Sequence, residues 1–151
     1  MSMTRSRGTT ISIGTTAANA ATDTYTLIEG ARAIDAMGGI TWSQIDATLL
    51  TDTYKQTMKG TADAGAMQIG GPRDSAAGGA LAAGLAALKL AAEDDTDPDI
   101  YNFKIVLASG RIRYVKARVF GFTEAIGNNT NLLEWRASLV LQAAPTEAAP
   151  A

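Results

Sequence analysis

Residues 75–93 read SAAGGALAAGLAALKLAAE, and their periodicity predicts the only helix of a chain whose other segments have strand-like patterns. Leucines recur at i, i+4 and i+7, which places them on one face of a helix. These leucines are Leu81, Leu85 and Leu88. Ser75, or Asp74 before it, can cap the first turn because its side-chain oxygen can accept from a free backbone amide. We therefore expect the helix to lie with its leucines against a β-sheet.

The opposite face of this predicted helix is unusual, because it lacks the charged residues that a solvated face normally carries. It consists of Ala83, Ala86, Ala87 and Leu90. Two interpretations are open: an alanine-rich face exposed to solvent, or a face that contacts another subunit while the leucines contact the sheet. We favour the second interpretation and assign these four residues to a subunit contact.

The composition excludes several functional classes. A chain of 151 residues is long enough for one domain with one core. Without cysteine or histidine, the chain lacks thiolate chemistry, disulfides and the commonest general base. The formal net charge of −2 indicates neither a nucleic-acid-binding protein nor an acidic tail. No apolar run reaches the roughly 20 residues of a membrane helix, and the N-terminus lacks the apolar core of a secretory signal, so we expect a soluble chain without a targeting segment.

Alternation and turn residues predict a mainly β domain over residues 24–142. Residues 1–23, rich in Ser, Thr, Ala and Gly, are predicted to form an N-terminal arm, and residues 143–151 a disordered tail. The predicted strands cover residues 25–36, 40–50, 66–70, 101–108, 111–123 and 132–142. In the strand at 111–123 the apolar residues change face near the middle, which a β-bulge or a move of the strand between two environments would explain.

The strand at 132–142 has the clearest alternation. Its predicted core face consists of Leu133, Trp135, Ala137, Leu139 and Leu141. Its predicted solvated face consists of Glu134, Arg136, Ser138 and Gln142. For the strand at 40–50, both faces mix apolar and polar residues, so the pattern does not identify a core face.

Residues 51–65, TDTYKQTMKGTADAG, are too polar for a core strand or a packed helix and predict a long loop or an exposed hairpin. The residues that we assign to contacts in this segment are Asp52, Tyr54, Lys55, Met58, Lys59 and Asp63. Two large apolar side chains cannot offset the entropy lost when such a loop becomes ordered. We therefore expect the segment to be mobile in the free chain and to become ordered against a neighbouring subunit.

The patterns of ionisable residues indicate no enzyme, no metal site and no cofactor. Asp95, Asp97 and Asp99 match the first three ligand positions of a calcium loop. Ile100 and Val106, however, occupy the positions of its glycine and its closing glutamate. A solvated acidic turn or an interface patch is the simpler interpretation.

One basic strand leaves a nucleic-acid-binding function open. Arg111, Arg113, Lys116 and Arg118 are interspersed with Tyr114 and Phe120. Cations and aromatic rings together are typical of single-strand-binding surfaces. The simpler interpretation is a solvated strand face that pairs with the acidic turn across an interface.

In the order of its elements and in local sequence, the chain resembles the major tail tube proteins of bacteriophages with long, non-contractile tails. The similarity extends over residues 10–142 and is carried by ATDTYTLIEGARAI, by IDATLLTDTYKQTMKGTADAG and by FKIVLASGRIRYVKARVFGF with its closing strand. It implies a β-sandwich or barrel-like tail tube fold flanked by a single helix. Tube proteins of contractile tails and of type VI secretion systems are implied to share this fold and remain alternatives.

The resemblance also implies a structural role in the virion for a protein made in the host cytoplasm. Six copies would form a ring, and stacked rings would form a tube through which double-stranded DNA passes without specific binding. Its other partners would be the tape-measure and tail-terminator proteins, with no membrane involved. The helix face would then be an intra-ring contact, residues 51–65 would contact the next ring, and Glu134, Arg136, Ser138 and Gln142 would line the channel.

Overall fold

The computed structural model describes residues 8–28, 31, 33–34, 40–72, 81–125 and 133–149. Within these residues there are ten strands and one α-helix, which confirms the predicted mainly β fold with a single helix. The strands are β1 (Thr10–Ile13), β2 (Thr26–Leu27), β3 (Ala33–Ile34), β4 (Thr41–Asp46), β5 (Thr57–Asp63), β6 (Ala66–Pro72), β7 (Tyr101–Val106), β8 (Ile112–Ala125), β9 (Glu134–Leu141) and β10 (Thr146–Ala148), and the helix is α1 (Ala83–Glu93).

Eight of the strands form one antiparallel sheet whose two ends lie close to each other. Seven strands follow the order β2-β1-β7-β8-β9-β6-β3, and β10 pairs with β8. The end strands β2 and β3 are connected by a short stretch of chain, because Leu27 and Ala33 are six residue steps apart. Six steps span at most about 21 Å, whereas seven strands in a flat sheet would extend over about 29 Å. The sheet must therefore curl, which gives the domain its barrel-like shape.

Alternate residues of the strands point to the inside of the curled sheet and form the core. The buried strand residues are Ile11, Ile13, Met67, Ile69, Phe103, Ile105, Val115, Ala117, Val119, Trp135, Ala137, Leu139 and Leu141. β9 follows the predicted alternation, except that Leu133, which precedes the strand, is exposed. The predicted core face of this strand is therefore confirmed from Trp135 onward.

β8 contains the predicted bulge. Its register with β9 shifts between Val119 and Gly121. Because of this shift, Val119 and Phe122 both contact the core although they are three positions apart. The Phe122 ring stacks on Trp135 with 6.1 Å between the ring centroids, while Phe120, at the bulge, is 67% exposed.

The helix begins later than predicted. Leu81 forms a β-bridge, and Ala82 is the N-cap of α1 without a side-chain hydrogen bond. The predicted caps, Asp74 and Ser75, lie outside the described residues. Two adjacent glycines at positions 78 and 79 disfavour a helix interior by about 1 kcal/mol each, which is the physical reason for a start after them.

The helix contacts β8, β2 and β1 with one buried face. The buried residues are Gly84, Leu85, Leu88 and Ala91. Gly84 marks the closest approach, because a Cβ atom at this position would overlap the carbonyl oxygen of Leu27 and lie 2.7 Å from the Cα atom of Ile28. The helix thus packs directly on the backbone at one end of the curled sheet.

The replacement Gly84→Ala should destabilise the domain. Alanine is the better helix former, but its methyl group would have to displace the backbone at Leu27 and Ile28. Overpacking of this kind typically costs about 1–3 kcal/mol of unfolding free energy. Gly121→Ala is the matched control, since a Cβ there has no atom within 4 Å. In urea unfolding, the free energy of unfolding of Gly84→Ala should be well below that of Gly121→Ala. Equal stability of the two variants would contradict the close packing of the helix at Gly84.

Two predicted terminal segments belong to the sheet instead. β1 lies between β2 and β7 and buries Ile11 and Ile13, so this stretch of the predicted N-terminal arm is held within the sheet of its own chain. β10 pairs with β8, with Thr146 opposite Tyr114, so the predicted disordered tail is wrong for residues 146–148. Both strands are too short to produce a sequence pattern, and each depends on its partner strand for backbone hydrogen bonds.

The predicted strand at 25–36 is also wrong as a single element. Its residues form two strands of two residues each, β2 pairing with β1 and β3 with β6. Gly30 lies between them in the sequence, and glycine weakens a strand interior. The stretch therefore connects the two ends of the sheet.

Residues 14–25, which follow β1, are held on the sheet by polar contacts. The Asp23 carboxylate accepts hydrogen bonds from the backbone and hydroxyl groups of Thr15, each at 2.7 Å, and from the buried Asn102 amide at 2.9 Å. Asn102 also donates to the carbonyl oxygen of Ala17, and Lys116 donates to that of Ala18. This segment is thus ordered within one chain without a neighbour.

The stability of this segment should depend on pH. Burial raises the pKa of Asp23, but hydrogen bonds from Asn102, Thr15 and Thr24 outweigh burial and lower the pKa from 3.8 to about 2. Because the folded pKa is below the unfolded one, the carboxylate stabilises the domain above pH 3.8, and this contribution is lost as the pH falls toward 2. Asp23→Asn should therefore unfold more easily than wild type at pH 7, with the difference shrinking between pH 4 and pH 2. Urea titrations that show a pH-independent difference would contradict this assignment.

Candidate self-assembly surfaces

β4 and β5 form a separate two-stranded sheet, and within the described residues neither strand pairs with the main sheet. All six residues of β4 are exposed, as are six of the seven residues of β5. This confirms the exposed hairpin predicted for residues 51–65, although it begins earlier, at Thr41. It also explains why the pattern at 40–50 identified no core face, since neither face is buried.

The register of the hairpin assigns its apolar side chains to two opposite faces. Ile45 lies opposite Met58, and Gln44 lies opposite Lys59. Directly opposed residues share a face, and successive residues alternate between faces. Ile45 and Met58 therefore define one face, which we call the Ile45 face, and Gln44 and Lys59 lie on the other.

Trp42 lies on the same side as Lys59, because it is two positions from Gln44 on β4 and Gln44 lies opposite Lys59. The register shifts between Trp42 and Gln44, and the Lys59 ammonium lies 5.5 Å from the centroid of the Trp42 ring. We call this side the Trp42 face. On the Ile45 face, Gly60 leaves room for Ser43 and Ile45, since an added Cβ would overlap the Ser43 hydroxyl oxygen and lie 3.1 Å from the Ile45 Cδ1 atom. Each face of the hairpin thus carries its own apolar surface.

Polar groups fix the tip of the hairpin at residues 47–56. The backbone N–H of Leu49 donates to the Asp52 carboxylate at 2.7 Å, and the Asp52 N–H donates to the Leu49 carbonyl at 3.0 Å. The Thr48 hydroxyl accepts from the Gln56 N–H at 2.9 Å, and Asp46 accepts from the Thr48 N–H at 3.0 Å. The single chain thus gives this segment a hydrogen-bonded conformation of its own, whereas the sequence predicted order only against a neighbouring subunit.

The fixed hairpin exposes a set of large apolar side chains. They are Ile40, Trp42, Ile45, Leu49, Leu50, Tyr54 and Met58. Among the residues assigned from sequence, Tyr54, Lys55, Met58, Lys59 and Asp63 are exposed and Asp52 is half-buried. Sequence reasoning missed the five apolar residues before position 51, although their presence on both faces of the predicted strand was a usable signal.

The predicted contact face of the helix is partly exposed. Ala83 and Leu90 are exposed, with Leu90 at 66%, and Ala86 is half-buried, while Ala87 packs against the core of its own chain. Leu27, whose backbone contacts Gly84, is also exposed. An exposed leucine on a helix face with few charges is typical of a surface that binds another molecule.

The outer face of β9 brings the four predicted channel residues together. Arg136, Ser138 and Gln142 are exposed and Glu134 is half-buried. The Arg136 Nη2 and Glu134 Oε2 atoms are 4.0 Å apart, so the two charges offset each other. Gln142 accepts a hydrogen bond from Arg118 at 3.1 Å.

The basic residues of β8 and the residue before it do not form a free cationic row. Arg111 pairs with Glu147 at 3.4 Å and Arg118 with Asp99 at 2.9 Å. Lys116 donates to a backbone carbonyl at 2.6 Å, whereas the buried Arg113 Nε atom has no hydrogen-bond partner among the described residues. Three of these four cationic side chains thus already have partners within the chain, which leaves little free positive charge for contacts to phosphates.

In the acidic turn after α1, Asp94 is engaged by neighbouring hydroxyl groups, whereas Glu93, Asp95 and Asp97 are exposed. Asp94 accepts from the Tyr101 hydroxyl and the Thr96 hydroxyl, each at 2.7 Å, and the hydrogen bond from Tyr101 is the main cause of its lowered pKa. Burial, reinforced by Asp94, raises the pKa of Tyr101 to about 12. No cluster of three or more potential metal ligands occurs among the residues that the structure describes.

Comparison with solved structures shows which proteins share this fold. A chain in the cryo-EM structure of the sheath/tube terminator of an extracellular contractile injection system superposes with a TM-score of 0.68 at 11% identity, covering 99% of both chains. A chain in the tail of an empty gene transfer agent particle, refined with six-fold symmetry, superposes with a TM-score of 0.64 at 13% identity, covering 97% of this chain and all of the other.

A chain in the six-fold symmetrised baseplate of the anti-feeding prophage gives a TM-score of 0.61 at 9% identity, covering 98% of this chain and 97% of the other. No protein-family model and no curated protein matches the sequence. The chain therefore has, over nearly its full length, a fold found in components of tails and injection systems. Within the described residues, no helix is long and apolar enough to span a membrane.

Proposed function

We propose that this chain is the structural subunit of a tail tube, assembling as hexameric rings that stack into a channel for genome passage. The observation that carries the proposal is the hairpin β4–β5, which exposes apolar side chains on both of its own faces. The hairpin does not need these side chains for the core, which is formed by other residues of the domain. Exposed apolar patches of this kind mark interaction sites. The full-length likeness to chains in six-fold symmetric tails supports the same class of assembly.

In this proposal the two apolar surfaces have different roles. The helix back, with Ala83, Ala86, Ala87 and Leu90, joins neighbours within a ring, and the hairpin joins consecutive rings. Rings of identical subunits use heterologous contacts that close on themselves. Closure would also cover the short edges of the main sheet, which a lone domain leaves open.

The outer face of β9 lines the channel in this arrangement. Its charges offset each other through Glu134 and Arg136, and the basic residues of β8 are largely paired internally. A surface without free cations holds DNA weakly, because each phosphate contact from Lys or Arg adds affinity. The subunit would stay in the virion tail, with the tape-measure and terminator proteins as its further partners.

A second candidate is a terminator or a tube subunit of a contractile system. The observation that favours it is the superposition on a chain from a sheath/tube terminator. The two roles differ in what the purified chain does alone. A tube subunit should form species of increasing length as its concentration rises, whereas a terminator should stop at a single ring.

Sedimentation velocity over a range of concentrations tests the proposal against both this candidate and nucleic-acid binding. We expect a monomer at low concentration and a series of large species at high concentration, unchanged by added DNA. A single ring-sized species would favour the terminator. A monomer that associates only with DNA, in a salt-dependent manner, would overturn the proposal.

Added positive charge on the channel face should slow genome ejection. In the double variant Glu134→Lys, Ser138→Lys, each ring would present twelve new lysines to the DNA backbone if six copies assemble. We expect normal tubes but slower ejection from particles, with a larger effect at low salt because screening weakens these contacts. The control, Thr22→Lys with Ser109→Lys, adds two lysines at exposed positions outside β8 and β9. Unchanged ejection kinetics would show that the β9 face points elsewhere.

A further inference from the structure

The two faces of the hairpin carry different chemistry, and each needs a partner. The Ile45 face presents Ile45 and Met58 beside Gly60, together with the Ser43 hydroxyl, which accepts a hydrogen bond from the Thr61 N–H. The Trp42 face presents the Trp42 ring with the Lys59 ammonium over it. A ribbon lying on one flat surface would bury one of these faces and leave the other in water.

The exposed fractions of the side chains indicate that both faces of the hairpin are open to a binding partner. Trp42 is 47% exposed, Ile45 52% and Met58 61%. A two-stranded hairpin is at best marginally stable alone, and this one is held at its tip by Asp52 and Thr48 instead of by apolar packing. The hairpin is thus preorganised, which lowers the entropy cost of insertion into a narrow space.

From these features we propose that each hairpin is inserted between two other copies of the chain, with one face against each copy. This inference rests on the proposed tube, in which the two copies would be neighbours within the next ring. The hairpin would then lock those neighbours together as well as stack the rings. Loss of either face would weaken both contacts.

Charge complementarity favours a copy of this chain as the occupant of the Trp42 face. Glu93, Asp95 and Asp97 are exposed at the C-terminal end of α1. They would offer carboxylates to Lys59 and to Lys55 at the hairpin tip, both of which are exposed.

Thiol labelling tests the inference, because the chain has no cysteine of its own. Ile45→Cys reports on the Ile45 face and Gln44→Cys on the Trp42 face. Each variant is co-assembled with about a twenty-fold excess of wild-type chain, so that neither has to assemble alone, and tubes are verified by electron microscopy before labelling. Ser109→Cys, in the exposed turn between β7 and β8, gives the maleimide reaction rate of an accessible thiol in the free chain.

We expect both hairpin cysteines to react at least tenfold more slowly in tubes than in the free chain. Protection of one face alone would overturn the inference, since the ribbon would then lie on a single surface. If tubes form with both cysteines reactive, the inference and the stacking role of the hairpin both fail, while the tube itself stands. If the chain forms neither rings nor tubes, the proposed function fails and the inference fails with it.

Discussion

Removal of the hairpin should leave a folded protein that forms rings but does not stack them into tubes. In the variant, residues 41–63 are replaced by a short Gly-Ser linker between positions 40 and 64. The core should survive because the described part of β4 and β5 makes no strand pairing with the main sheet, and a change of loop length alone costs little. Circular dichroism and urea unfolding check the fold, and electron microscopy counts rings and tubes.

A second variant separates the role of the hairpin side chains from that of its length. Trp42→Thr, Ile45→Thr and Met58→Thr together keep the strands, since threonine is a good strand former, and keep the polar tip. We expect this variant to stack as poorly as the deletion. Tubes of normal length from either protein would contradict the assignment of stacking to the hairpin.

Leu90→Glu should produce a folded monomer that does not form rings at wild-type concentrations. Leu90 is 66% exposed in the single chain, so the substitution costs the monomer little. In a subunit contact the carboxylate would be buried without a partner, at a cost of several kcal/mol. Because 1.4 kcal/mol corresponds to a factor of ten, the concentration needed for assembly should rise roughly 100-fold or more.

The neighbouring residue provides the control for this substitution. Lys89 is also exposed on α1 but lies on the charged flank of the helix, outside the apolar face. Lys89→Glu changes the net charge more than Leu90→Glu does, so it controls for the effect of charge alone. Sedimentation should show near-normal assembly for Lys89→Glu and monomers for Leu90→Glu. Equal assembly of both variants would mean that the helix back is a solvated, alanine-rich surface.

Local sequence patterns predicted those parts of the fold that local forces determine. Alternation identified Trp135, Ala137, Leu139 and Leu141 as core residues because one face of β9 is buried along its whole length. The change of apolar face in β8 correctly indicated a bulge, which the structure places at Val119 and Gly121. The helix was identified by its leucines, but its start was misplaced because a pattern of small residues extends through the glycines at 78 and 79.

The elements that sequence reasoning missed depend on distant partners. β1 and β10 have four and three residues and are ordered through pairing with β7 and β8. The hairpin was only half recognised, because a ribbon with two exposed faces has no alternation of apolar and polar residues to detect. For the same reason, the mixed pattern around Trp42 and Ile45 was informative about function, since it marks surfaces that the single chain does not bury.

Electron microscopy of the concentrated, purified chain tests the central claim most directly. A tube subunit with self-complementary surfaces needs no other protein to associate, so we expect six-fold rings in end views and stacked, hollow tubes in side views, with the hairpin at the junction between rings. A field of monomers at every concentration, or rings with another symmetry, would contradict the account.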